Sequence, residues 1–151
     1  MSSNLHVLSI GSQDHGTFVR DVLLERSRCR LYVGSSNWDL SVLPGSEGID
    51  VAILHNTFSS PERRVLTAYI RRRWPFAKIL SIQSREQRVD DSTYDERIAP
   101  GASARTLLSA IERLGACARR ARLPLAMATC IQVPKQGGRF TPELTPTFPK
   151  L

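Results

Sequence analysis

Acidic residues are scarce in this chain: 14 Asp and Glu face 21 Lys and Arg, for a formal charge of +7 and a pI near 10.0. Long apolar runs are absent too. None approaches the roughly 18 residues of a membrane-spanning helix, so no membrane partner is expected. Cysteine is rare and badly placed for cross-linking. Cys29, Cys117 and Cys130 are odd in number and lack CxxC spacing, which argues against a disulfide framework or a zinc site. The opening Met1-Ser2-Ser3-Asn4 has no basic stretch followed by an apolar core, so it does not read as a secretory signal. A reducing cytoplasm is the expected compartment. Aromatics contribute 7% and apolar residues 41% of 151 residues, with a mean hydropathy of -0.21. That composition is too apolar for a wholly disordered chain and sufficient for one core.

The charge is unevenly spread. From Gly115 to Leu151 there are six basic residues and one acid, Glu143, whereas the first 114 residues carry 15 basic and 13 acidic groups. Pro124, Pro134, Pro142, Pro146 and Pro149 crowd the same C-terminal stretch, and prolines inside a helix break it. The expected organisation is a folded domain over 1–118 and a basic, proline-rich, disordered tail over 119–151, with a helix broken at Leu123-Pro124.

Within the first region, apolar runs alternate with amphipathic segments. Leu5 to Ile10, Cys29 to Val33, Val51 to Leu54, Ala77 to Ile82 and Arg97 to Ala99 read as strands. Residues 17–27 form an expected helix with Phe18, Val19, Val22 and Leu23 on its apolar side. A second helix is expected to start at Ser60 as its cap, with Pro61 in the first position and Val65, Leu66, Tyr69 and Ile70 inward. A last helix is expected after the cap Ser103, with Leu107, Leu108, Ile111 and Leu114 inward. Five such strands predict a flavodoxin-like, doubly wound, five-stranded parallel sheet with shortened helices after strands 2 and 4. In that fold, sites lie at the C-terminal ends of the strands.

At those ends the chain resembles the receiver domains of two-component response regulators, the CheY-like family. The resemblance spans about residues 4 to 115. It is carried by Ile49-Asp50-Val51-Ala52-Ile53-Leu54, by Trp74-Pro75-Phe76-Ala77-Lys78-Ile79-Leu80, and by Ile98-Ala99-Pro100 with Leu107-Leu108-Ser109-Ala110-Ile111. It implies phosphorelay signalling in bacteria. Receivers phosphorylate an aspartate with the help of Mg²⁺, acidic residues, a hydroxyl and a lysine. Position by position, the acidic pair falls on Gly11 and Ser12, the acceptor on His55, the hydroxyl on Gln83 (or Ser84), and the lysine on Ala99. Pro100 alone is kept, and the aromatic switch position falls on Arg97. The resemblance is therefore to a degenerate or pseudo-receiver, with neither cofactor nor catalytic residue expected.

Other chemistry finds less support. His55 reads as a neutral, hydrogen-bonding filler rather than a phosphoacceptor, and His6 as structural. A metal site built from His15, His55 and Asp14 is conceivable but short of ligands. Gly11 to Gly16 matches neither a dinucleotide fingerprint nor a Walker loop. Cys29 is expected to be buried and inert, and Cys117 to be an ordinary thiol beside Arg119 and Arg120. Arg63, Arg64 and Arg71 to Arg73 read as a solvated face. The leading expectation is a stand-alone signalling protein, not an enzyme, acting through protein–protein contact at a face that includes Arg97, Arg105 and Glu112. Two alternatives are non-specific binding of nucleic acid or an anionic surface by the tail, and a small-ligand cleft joining Ser12, His15, His55 and Gln83.

Overall fold

The computed structural model describes residues 4–12, 15–35, 40–41, 43, 48–84 and 93–128, with the side chains of His15 and 124–128 left out. The strands are β1 (His6–Ile10), β2 (Arg30–Gly34), β3 (Val51–Leu54), β4 (Lys78–Ile82) and β5 (Glu96–Ile98). The helices are α1 (His15–Arg26), α2 (Ser60–Arg73) and α3 (Ala104–Ala128). All strand pairs are parallel and the sheet order is β2-β1-β3-β4-β5. This is the doubly wound fold expected from the alternation of apolar runs and amphipathic segments. The shortened helices expected after strands 2 and 4 fall mostly on 36–39, 42, 44–47 and 85–92, which lie outside the described residues.

Strand side chains alternate between faces, and the core divides accordingly. Val7, Val51, Ile53, Leu80 and Ile82 pack with Leu24 of α1 and with Leu107, Ala110, Ile111 and Leu114 of α3. Leu8, Ile10, Ala52, Leu54 and Ile79 pack against Leu66, Ile70 and Trp74 on the other face. Each such aliphatic side chain contributes about 1.5–3 kcal/mol when fully buried. Burial on both faces explains why β3 is apolar throughout.

Several local expectations are corrected. Phe18 and Val19 are 59% and 44% exposed; α1 instead turns Thr17 and Leu24 inward, two turns apart on one face. Val65 is exposed, while Arg63, Leu66, Thr67 and Ile70 form the buried stripe of α2. The cap of α2 is Ser59 rather than Ser60: its N–H and hydroxyl both donate to Glu62 at 2.7 Å. Those bonds, hydroxyl first and backbone second, hold the Glu62 carboxyl below its ordinary range. Cys29 precedes β2 and is half-buried, with Ser27 Oγ 3.3 Å from its sulfur, while Cys117 is exposed. Ser103 caps α3 as expected, accepting from the Thr106 N–H at 3.2 Å.

The largest difference concerns the end of α3. The helix does not stop at 118 or at Leu123-Pro124 but runs to Ala128. Pro124 removes one helical hydrogen bond, but the preceding turns are anchored to the sheet. Arg119 and Arg122 reach Asp50 at 3.6 and 3.0 Å, and Arg122 also donates to the Ile49 carbonyl at 2.6 Å. Arg119 donates to the Asn4 carbonyl at 2.8 Å. Residues 129–151, the rest of the expected tail, lie outside the described residues.

Candidate functional site

The C-terminal ends of β1, β3 and β4 place Gly11, His55 and Gln83 next to one another along the sheet edge. Their backbones continue the ladder: Gly11 N–H bonds Gly34, His55 N–H bonds Ile10 at 3.0 Å, and Gln83 N–H bonds Ile98 at 3.1 Å. Their side chains do not converge. Strand parity sends His55 towards α1 and Gln83 towards α2.

His55 is fully buried. Its Nε2 lies 2.7 Å from Ser9 Oγ, and Ser9 donates its own hydroxyl hydrogen to Asp21 at 2.6 Å. With that hydrogen committed, Ser9 accepts from the ring, so His55 carries a proton on Nε2. Asp21 and His55 Nε2 are 4.0 Å apart, with Ser9 bridging them. Burial raises the Asp21 carboxyl above its ordinary value, and the Ser9 bond pulls the other way. Gly11 completes the packing. A Cβ there would stand 2.7 Å from His55 Cβ, so only glycine lets this ring lie against the β1 end.

Arg63 occupies the other side. It is 1% exposed, and all five of its N–H donors are used. Nε donates to Phe58 O at 3.1 Å, Nη1 to Ser81 Oγ at 2.6 Å and Gln83 Oε1 at 3.5 Å, and Nη2 to His55 O at 3.1 Å and Ile82 O at 3.3 Å. Burial lowers the affinity of this guanidinium for its proton. Every acceptor is neutral. The side chain ties the loop after β3 to the end of β4.

Arg63 is the residue that pattern reading missed. The sequence expectation is a solvated face, yet it sits at i, i+3, i+4 and i+7 with Leu66, Thr67 and Ile70. The available signal was the polar end of β4, Ser81-Ile82-Gln83, whose inward side chains need a donor.

The remaining expected positions are near the surface. Ser12 is exposed, with its N–H 3.2 Å from Thr57 Oγ1. Ala99 is exposed, and Pro100, half-buried, offers its carbonyl to Arg20. Asp14 and the side chain of His15 lie outside the described residues. With His55 and Gln83 fully buried on opposite faces, the expected cleft joining them to Ser12 and His15 is closed at both. Mg²⁺ requires oxygen ligands, usually carboxylates. Gly11, Ser12, His55 and Gln83 do not supply such a set, and no group of three His, Cys, Asp or Glu able to hold a metal occurs among the described residues. The positions that are described do not fit that ion.

Arg97, Arg105 and Glu112 are all exposed, on β5 and the first three turns of α3. Arg113 pairs with Glu96 between the same elements. No described helix is long and apolar enough to cross a membrane.

Several solved structures with a similar fold are described as signal receiver domains. The receiver domain of an HD-domain protein from Pseudomonas fluorescens superposes with a TM-score of 0.69 at 14% identity, covering 81% of this chain and 94% of that one. The fold is that of a CheY-like receiver domain. A protein described as an adenylate cyclase from Rhodopirellula baltica gives 0.72 at 10% identity, with 84% and 98% covered. The receiver domain of a sensor histidine kinase from Pseudomonas aeruginosa, which has magnesium coordinated in its active-site cleft, gives 0.63 at 11%, with 76% and 99% covered. No family model matches the sequence, and no curated protein does. The receiver fold is thus shared at identities that reveal architecture and not chemistry.

Proposed function

We propose that this chain is a receiver-like signalling module that works through protein–protein contact and is not phosphorylated on aspartate. The supporting observation is the fate of the residue after β3. In place of a carboxylate at the end of the strand stands His55, buried, with its Nε2 2.7 Å from Ser9 Oγ and its carbonyl held by Arg63. The residue at the acceptor position is fully buried and offers a phosphoryl donor no exposed nucleophile, and Gly11 and Ser12 offer no side-chain carboxylate for a cation. Positions 11, 12, 55, 83, 99 and 100 are read as the remnants of a receiver site whose interior has been packed shut. The contact face is assigned to β5 and the start of α3, where Arg97, Arg105 and Glu112 are exposed and the Glu96–Arg113 pair fixes one element to the other.

Incubation with acetyl phosphate and Mg²⁺, read by intact mass, tests the first part. No stoichiometric adduct is expected. An acid-labile adduct on any residue overturns the reading, and one on His55 restores a phosphoacceptor role.

A further inference from the structure

The two edges of the sheet are finished differently. β5 is three residues long and carries Glu96 and Arg97, and short, charged strands are one way in which an exposed edge resists further pairing. β2 has five residues, Arg30–Gly34, with no charge after Arg30. No strand among the described residues borders its outer side.

The outward groups of β2 follow from its bonds to β1. The Arg30 N–H donates to the Leu5 carbonyl at 2.7 Å, and the Gly34 carbonyl accepts from the Gly11 N–H at 3.1 Å. Successive residues of a strand turn their backbone groups to opposite sides, so residues 30, 32 and 34 address β1. Leu31 and Val33 therefore turn N–H and C=O to the edge. Their side chains lie on the α1 face of the sheet. Leu31 is in register with Val7 and Val33 with Ser9, whose hydroxyl reaches Asp21 of α1. Val33 is 43% exposed.

Helix α1 borders the same edge with an apolar flank. Val19, Arg20 and Leu23 line a cleft with Pro100 and Leu107, on the side of α3. At roughly 100° per residue, Phe18 and Val22 fall on the other flank, above β2. Phe18 is exposed there. Leu40 and Leu43, which follow β2 in the chain, pack in the opposite layer.

We propose that β2 pairs with β2 of a second copy of this chain, antiparallel about a two-fold axis at Tyr32, joining two five-stranded sheets into one. An open edge alone accepts many strands. The order of residues in β2 selects its own, because a two-fold interface must be self-complementary. In this register Leu31 of each copy faces Val33 of the other, and every outward N–H and C=O of the two residues finds a partner. The same pairs lay four aliphatic side chains side by side on the α1 face, where the Phe18 and Val22 flanks of the two helices approach over them. Like charges directly opposite would oppose pairing, but Arg30 meets Gly34. The two Arg30 residues stand about 14 Å apart at 3.4 Å per residue, beyond the screening length of about 8 Å at physiological salt. The face at β5 and the start of α3 stays exposed on both copies, and the pairing does not rest on the reading of His55.

The test is sedimentation equilibrium of the full chain over a range of concentrations, with circular dichroism to show that each variant folds. The mass is expected to rise towards twice the 16.9 kDa of one chain. Val33→Glu places a charge in the paired region and should raise the dimer dissociation constant at least tenfold. Val33→Pro deletes an outward N–H and leaves the β1 ladder intact, and should do the same. Val65→Glu, at an exposed apolar residue of α2, should leave it within twofold. Register is read by oxidation after Cys29, Cys117 and Cys130 are replaced by Ser. Tyr32→Cys on the axis should cross-link, since opposed residues there are about 4.5 Å apart at Cα. Val33→Cys should not, because its copy lies diagonally across at about 7–8 Å, past disulfide reach. A monomer at every concentration overturns the proposal and leaves the edge to a strand of another protein. So does a dimer indifferent to both Val33 variants, loss of the dimer on Val65→Glu, or cross-linking through Val33→Cys in preference to Tyr32→Cys.

Discussion

Two buried charges stabilise opposite ends of the same sheet by opposite means. At the C-terminal ends of the strands, Arg63 is enclosed by neutral acceptors alone. At the N-terminal ends, Asp50 is 2% exposed and drawn to two cations, while also accepting from the His6 N–H at 3.0 Å. The contrast follows from the groups themselves. A guanidinium spreads its charge over a planar fork whose five donors can all be met by carbonyl and hydroxyl oxygens. A carboxylate is compact and finds few backbone donors outside turns and helix starts, so its burial is offset here by cations from another element. One end is therefore sealed by neutral acceptors, while the other is held by a carboxylate shared between two arginines of α3.

Replacing the cation at the sealed end has the largest expected effect. Arg63→Ala strips partners from His55, Phe58, Ser81, Ile82 and Gln83 at once, and should lower stability by about 3 kcal/mol or more. Arg63→Lys keeps the charge but not the fork and should recover only part of that. Urea unfolding of both variants measures the difference, and a full recovery with Lys would mean that charge rather than donor geometry matters at this end.

The opposite end should respond less. Asp50→Ala is expected to cost about 2 kcal/mol, from the loss of hydrogen bonds to charged groups and of the His6 contact. Because Arg119 and Arg122 then keep only their bonds to the Asn4 and Ile49 carbonyls, helical signal from the distal part of α3 should fall before the sheet unfolds. Circular dichroism during a thermal scan reads this, and a single coincident transition would show that Asp50 does not hold the helix end separately.

Gly11→Ala asks whether the sealed end has slack. The added methyl meets His55 Cβ, backed by the sheet and by Ser9, so roughly 1–3 kcal/mol of overpacking is expected. Gly115→Ala makes an informative partner. Its methyl would meet the Leu5 side chain, a flexible group that can turn aside, and the cost should be smaller.

The smallest effect is a pH dependence at Asp21. Burial raises its folded pKa above the unfolded value. The folded state therefore holds the proton more tightly, and this contribution to stability is complete below the unfolded pKa. It is lost as pH rises through the raised folded value. Asp21→Asn keeps an acceptor for Ser9 without the charge. It should flatten that part of the stability–pH curve and add less than about 1 kcal/mol at neutral pH. A variant curve parallel to that of the unaltered chain would remove Asp21 as its source.

The strands and the last helix were readable because their chemistry is local. Val51 to Leu54 is apolar at every position, and Leu107, Ile111 and Leu114 repeat at helical spacing. The α1 face was misread for a related reason. Phe18 and Val19 are apolar, but the helix turns Thr17 inward and packs Leu24 with Val7 and the α3 residues of the core, and that packing is not encoded in spacing. Pro124 misled in the opposite direction. A proline weighs heavily when counted alone, yet the helix around it is held by long-range bonds from Arg119 and Arg122 to partners more than 60 residues away.

By itself the sequence determined the parallel doubly wound sheet, the strand ends at which a receiver would carry its site, and the surplus of +7. It determined also that no carboxylate follows β3. Tertiary structure alone decided where Arg63 goes and how the charge is arranged, because burial and pairing depend on which elements meet. A run of arginines looks the same in sequence whether it faces water or the core. Only the fold shows that Arg63 closes one end of the sheet, and that Arg119 and Arg122 of α3 meet Asp50 at the opposite end.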